Sequence, residues 1–515
     1  MLYRLHLASL TLLLGLVACT PKARSTPPLP STLNLVTVDP NATTTPTPFL
    51  PSTAEPTPLP TPTRWPTETT LPPTATATAT ASDVPTAALL PASLERTQYT
   101  FFVTFDCAGH VLQVEENIRY PNLSGHDLPQ IVLAVEPNLW PGVFTLTDLR
   151  LEDTPQTAYT LNGHRLEIAL PQPLRAGEVL KLALNFTLKL PPQSVGSPFG
   201  YGSNQSNLTD WFPFIVPYQG EWVLHDPWSF GEHLVYDAAD FEVNLKVNDP
   251  QVIVAASAPA ESTGEWRRYR LSAARTFAFS ASENFRVAES RVGSVVIRSY
   301  YFAGQENAGE RMAISAAQAV SIFQTKLVPY PYSSLSIVAA DVPDGQEFDG
   351  FVLLSTKFYN QYQQGIGNNL VDIGVHEIAH QWWFGLVGND QALEPWLDEA
   401  LATYSEHFYY EYYDLTNWWW NFRVNYFSPS GWVDTSIYNG GSFRTYTNAV
   451  YLNGANFLEA VRRRVGEQDF FNFLQDYLTR YAHQRATAYD FFATLRANTA
   501  ADVSDLIRAY FQSPY

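Results

Sequence analysis

Cysteine is nearly absent, with Cys19 and Cys107 the two examples in 515 residues, so at most one disulfide can form. Basic residues are scarce as well. Lys and Arg together number 31 against 50 Asp and Glu, a net charge of −19 and an isoelectric point near 4.9. Such a surface has nothing to neutralise phosphates with, which excludes nucleic acid as a partner and leaves an acidic, soluble exterior. A long apolar run is also missing. The stretch from Leu7 to Ala18 falls short of the ~20 residues a membrane-spanning helix requires. No repeat of fixed period is present. What the chain does hold is 45% hydrophobic and 14% aromatic residues, material for two or more cores at this length.

The N-terminus has a basic start at Arg4 followed by that short apolar run, the form of a secretory leader. The run ends in "LVAC", Leu16 to Cys19, which resembles the lipobox of bacterial lipoproteins. The resemblance implies a signal peptide over residues 1–18, cleavage before Cys19 and lipidation of Cys19. The protein would then be anchored in the cell envelope on the outer side of a bacterial membrane, periplasmic or extracellular, touching the bilayer through lipid alone. A plain secretory signal is the alternative. Cys107 is left as an unpaired, small core residue. Residues 19–92 follow as a stalk. From Pro21 to Leu90 proline and threonine make up half the chain, and Phe49 and Trp65 are its two aromatics. Such a segment cannot bury enough apolar surface to offset ordering its backbone, so an extended, polyproline-like spacer is expected.

Residues 93–290 read as strands. "YTFFVTFD", "RLEIALPQPL", "EVLKLALNFTLKL", "FEVNLKVND" and "QVIVAASAP" alternate apolar and polar positions between turn residues, predicting an antiparallel β-domain. Residues 291–515 read mainly as helices. "GERMAISAAQAVSIFQTKL" is amphipathic and stopped by Pro329, and five further segments share its period.

Within the helical half stands "HEIAH", His376 to His380. Residues four apart lie one turn apart on one helix face, so two imidazoles can meet one ion with Glu377 close beside them. Two core histidines on an apolar face are the plainer reading, but histidine is rare here, ten in 515, and a chance match has a probability of roughly one percent. A zinc site needs a third protein ligand. Glu399, near the start of the next helix in "PWLDEALATYSEHF", is the candidate; otherwise it is a charge favourable to a helix N-terminus. Two His and one Glu around zinc suit hydrolysis, since a bound water becomes acidic and Glu377 can take its proton and pass it to a leaving amine.

HExxH, eighteen residues and then Glu resembles the gluzincins of the aminopeptidase N family, and "HEIAHQWWFGLVGNDQALEPWLDEALATY" is similar to that family's helix–loop–helix throughout. The resemblance covers roughly Tyr99 to Tyr515. It implies an α+β fold, with an N-terminal antiparallel β saddle-like domain followed by a thermolysin-like, mainly helical catalytic domain. It implies one Zn2+ per chain, held by His376, His380 and Glu399. It makes Tyr451 in "VYLNGANF" the phenol that steadies the oxyanion, although Leu452 and Asn453 stand where the family has Glu and Lys. It makes Glu347 in "DGQEFDGFVLLS" the anchor for a substrate's free α-amine, with Gln346, Phe348 and Asp349 departing from the family's pattern. "LTDWFPFIVPYQGEW" resembles the end of the saddle domain. The large helical domain of longer members would begin after about Tyr510, so a more open pocket is expected.

The function expected is a zinc-dependent aminopeptidase acting on peptides with a free N-terminus. Alternatives are a zinc metallohydrolase or endopeptidase with no need of a free amine, and an inactive surface binding protein. Glu406, seven residues beyond Glu399 on the same helix face, could accept a hydrogen bond from a ligand imidazole. Arg462, Arg463 and Arg464 read as a solvated helix face, and Asn417 to Phe422 as packed aromatics.

Overall fold

The computed structural model describes residues 95–515 apart from 194–196 and 263. The leader, the lipidation site Cys19 and the stalk to residue 92 lie outside the described residues. No helix among the described residues is long and apolar enough to cross a membrane.

The fold is α+β, with a β-rich first part and a helical second part. A seven-stranded sheet forms the first part's main layer, and Thr97–Asp106 sits near its middle. Strict alternation puts Tyr99, Phe101, Val103 and Phe105 into the core and leaves the intervening residues facing out. Phe101 meets Trp211 and Phe212 at ring-centroid distances of 5.1 and 4.9 Å, so the buried face is largely aromatic. The sheet is antiparallel with one exception. Thr97–Asp106 runs parallel to Ala239–Val247, with Tyr99 opposite Phe241, although well over a hundred residues separate them. Two four-stranded sheets complete this part.

A five-stranded mixed sheet opens the second part, in the order Arg286–Val292, Val295–Tyr301, Ser334–Ala340, Phe351–Ser355 and Gly345–Phe348. The change of period anticipated between residues 290 and 291 therefore falls inside a strand whose sheet partners belong to the second part. Ser334–Ala340 is buried at every position, as befits a parallel strand covered on both faces.

Four helices follow: α1 (Glu306–Lys326), α2 (Thr356–Gln361), α3 (Asn369–His380) and α4 (Trp396–Tyr412). The Asn368 side chain caps α3 by accepting from Val371 N. α3 is buried on nearly all sides, which its apolar composition permits. It lies close against α1 because residue 374 is glycine. A Cβ there would fall 2.6 Å from Met312 Sδ, well inside contact distance. α4 packs on α3 in turn, and the remaining helices, including Asn453–Val465, close over α4.

Candidate metal centre

α3 and α4 bring three donor atoms together. His376 Nε2 and His380 Nε2 are 3.1 Å apart, and Glu399 Oε2 lies 3.2 Å from the first and 3.6 Å from the second. Donors at ~2.0–2.1 Å from a tetrahedral zinc would be separated by roughly 3.4 Å, so these spacings fit one ion.

The other nitrogen of each imidazole is already committed. His376 Nδ1 is 2.8 Å from Glu406 Oε1, and His380 Nδ1 bonds to Asp398 Oδ1. Carboxylates accept, so both Nδ1 atoms must donate. Two Nε2 lone pairs and a carboxylate oxygen then converge on one point inside the protein. Three electron pairs repel unless a cation sits among them, so the donor set fits a divalent metal.

Glu406 is itself pinned. Arg423 grips it with Nε to Oε2 at 2.8 Å and Nη2 to Oε1 at 2.9 Å, and Trp419 Nε1 donates to Oε2 at 2.8 Å. Burial opposes its charge, but Arg423 and His376 outweigh burial and hold the carboxyl below its ordinary value. Asp398 takes a further hydrogen bond from Gln391 Nε2 at 2.9 Å.

A cavity of about 210 Å³ opens beside the three donors, lined by Glu377, Glu347, Glu232 and Tyr451 among others. Glu377 projects from α3 into a space left by Gly345, where a Cβ would overlap its carboxylate. Burial raises its pKa, and the charges of Glu347, Glu399 and Asp344 push the same way. Glu347 comes from the strand Gly345–Phe348 and is bonded by Gln391 Nε2 at 3.4 Å. Glu232 comes from the β-rich part, in the long loop before Ala239–Val247, and interacts with Glu399. Desolvation raises both Glu347 and Glu232 well above the usual carboxylate range. The cavity wall thus gathers more carboxylate than it can compensate, a demand for positive charge that one metal ion and one substrate ammonium would meet. The Tyr451 ring lies parallel to His376 with centroids 6.0 Å apart, and its hydroxyl interacts with Glu399. Burial raises the phenol's pKa, keeping it a hydrogen-bond donor.

The structure thus brings together all six residues singled out by motif in the second part: His376, His380, Glu399, Glu377, Glu347 and Tyr451. Sequence reasoning left out Asp398, Arg423 and Glu232. Asp398 is adjacent to Glu399 in "WLDEA", which was a usable signal. Arg423 and Glu232 carried none, because their partners are distant in the chain. Arg462, read as part of a solvated face, is instead buried between Glu411 and Glu467, with Nη2 at 2.9 Å from the first and 2.6 Å between Nε and the second.

Residues 328–510 match the family model described as the Peptidase family M1 domain. Among relatives, Aminopeptidase M1-B of Oryza sativa subsp. japonica is 25% identical over 233 residues, covering 42% of this chain and 26% of that protein. The Alanine/arginine aminopeptidase of Saccharomyces cerevisiae is 22% identical over 246 residues, 44% of this chain and 29% of its own length. These matches span little more than a quarter of the relatives' lengths. Among solved structures, the M1 zinc metallopeptidase from Deinococcus radiodurans superposes with a TM-score of 0.60 at 18% identity, covering 82% of this chain and 94% of that one. The likeness establishes the two-part fold, and together with the family model it supports the aminopeptidase N family.

Proposed function

We propose that this protein is a zinc-dependent aminopeptidase that removes the first residue from peptides with a free N-terminus. The observation that carries the reading is the convergence of His376 Nε2, His380 Nε2 and Glu399 Oε2 with both Nδ1 atoms committed as donors. In this reading Glu347 and Glu232 hold the substrate's α-ammonium, which sets the first peptide bond beside Glu377. Glu377 takes a proton from the attacking water and hands it to the departing amine nitrogen. The Tyr451 hydroxyl donates to the carbonyl oxygen as negative charge builds there. Zinc held by the three donors would supply Lewis acidity to the water and the carbonyl.

Residues 1–94 carry the rest of the proposal. "LVAC" supports lipidation of Cys19, and the Pro/Thr-rich composition supports a stalk that holds the enzyme away from the outer side of a bacterial membrane.

The test is turnover of aminoacyl-arylamides with and without a chelator, alongside Glu377→Gln and N-acetylated counterparts of each substrate. Chelator sensitivity, a loss of ~10²–10⁴-fold in the variant, and inertness of the blocked substrates are expected. Near-wild-type turnover by Glu377→Gln would end the mechanism. Equal cleavage of blocked substrates would favour a metallohydrolase or endopeptidase. Incorporation of labelled fatty acid, abolished by Cys19→Ala, tests the anchor.

A further inference from the structure

The cleft does not stop at the amine anchors. A second cavity of about 360 Å³ adjoins the first, and the two share Pro198, Trp228, Gly231, Glu232, Gln346 and Glu347 in their walls. Beyond those shared residues the second cavity is bounded by Trp140, Phe199 and Phe384 and by four titratable groups, Glu136, Asp210, His233 and Tyr236. Among the described residues no lysine or arginine lines it.

Glu136 is built to stay ionised. Its Oε2 lies 3.0 Å from His164 Nδ1 and its Oε1 3.2 Å from His233 Nε2. Burial works against the charge, but these two imidazoles overcome it and bring the carboxyl down to about 2. The arrangement differs from the metal centre, where one oxygen of Glu399 faces both ring nitrogens. Here each ring faces its own oxygen, His164 through a hydrogen bond and His233 at ion-pair distance. Asp210 is less well served. It accepts from the Tyr236 hydroxyl at 2.6 Å, yet burial and the nearby charge of Glu136 push it up to about 6. Its backbone is left-handed, with φ at 46°.

We propose that this second cavity receives the side chain of the substrate's first residue and selects lysine and arginine there, with Asp210 and Glu136 as charge partners. The inference rests on the aminopeptidase reading, because Glu347 and Glu232 must hold the α-ammonium for the first side chain to point past them. The aromatic walls suit the methylene stem and the flat guanidinium, and Asp210 and Glu136 line the same cavity as the amine anchors and supply negative charge to it. A neutral side chain of equal length would fill the same space and leave Asp210 desolvated without a counter-charge, which is how a site rejects an isostere.

Citrulline has the shape of arginine without its charge, so the test compares arginyl-, citrullyl- and leucyl-arylamides. The wild-type enzyme should favour arginyl over citrullyl by at least about tenfold in kcat/KM. That ratio should fall to within roughly threefold in Asp210→Asn and should shrink in Glu136→Gln. Competitive inhibition of leucyl-arylamide turnover by argininamide against citrullinamide asks the same question of the unaltered protein, should either variant fold poorly. A wild-type ratio near one, or a ratio unchanged in both variants, would overturn the proposal. If leucyl-arylamide is cleaved but the ratio is near one, the cation pocket alone fails. If no arylamide is cleaved, the aminopeptidase reading itself fails.

Discussion

Gln381 Nε2 donates to the carbonyl oxygen of Phe348 across 3.0 Å, and Gly350 N returns a hydrogen bond to Gln381 Oε1 at 2.8 Å. Gln381 directly follows His380, and Phe348 directly follows Glu347. One buried carboxamide therefore ties the helix bearing the candidate metal ligands to the strand bearing Glu347, the proposed amine anchor. Gln381→Ala leaves two buried backbone groups unpaired and should cost about 1–3 kcal/mol of stability. Its kinetic signature should be a raised KM for free-amine substrates with kcat less affected, because Glu347 is displaced and Glu377 is not. Steady-state kinetics beside a melting curve checks this, and an unchanged KM in a folded variant refutes the coupling.

Glu406 accepts from His376 Nδ1 and so keeps Nε2 turned towards His380 Nε2 and Glu399 Oε2. Glu406→Gln should weaken metal retention by about 10–100-fold, read as the chelator concentration that removes half the zinc. Arg423→Ala should be harsher on stability, since it leaves Glu406 buried beside Asp372 with its strongest cation gone. Loss of one partner from such a pair costs roughly 3–5 kcal/mol. If both variants bind zinc and melt as the parent does, the clamp has no role in the site.

Tyr451→Phe removes one hydroxyl and keeps the ring against His376. A donor used as charge develops should show up in kcat, with a fall of about 10²–10³-fold and little change in KM. A change confined to KM would instead assign Tyr451 to ground-state binding.

Away from the site, burial pushes Glu394 up to about 7, with Asp390, Asp490 and Asp434 adding to the effect and a bond from Ala488 N opposing it. The folded state therefore holds a proton that the unfolded chain releases near the ordinary carboxylate value of ~4.3. Stability from this position is complete below that value and declines as pH rises through 7. Glu394→Gln keeps the acceptor and removes the charge. It should stabilise the protein at pH 8 by on the order of 1 kcal/mol, read as a raised melting temperature, and change stability little at pH 4.5. The same gain at both pH values would contradict the assignment.

How far the sequence could be read depended on the range of the signal. His376, Glu377 and His380 were legible because helical spacing is local and their side chains share one turn. The five alternating segments of the first part all became strands, for the same reason: a period of two is written residue by residue. Asp398, Arg423 and Glu232 were hidden because each acquires its role only when another element arrives. Arg423 meets Glu406 after the chain turns back beyond α4, and Glu232 reaches Glu399 from a loop of the other part. The strand Ser334–Ala340 is buried at every position, its two serines included, so the brief alternation of its first half gave no exposed face to read. The helix Ala488–Asn498 was passed over, although Thr487 and Asp490 form a capping box that marks its start.

The parallel pairing of Thr97–Asp106 with Ala239–Val247 has a consequence for biosynthesis. Emerging from the ribosome, the earlier strand can zip at once with Val111–Pro121 on one edge, but its other edge stays open until Val247 has been made. During that wait a row of unpaired amides and carbonyls flanks Phe101, Val103 and Phe105, an invitation to intermolecular pairing. The nascent chain thus passes through a stage in which a holding chaperone would find its target, and the stage ends when the later strand covers that edge.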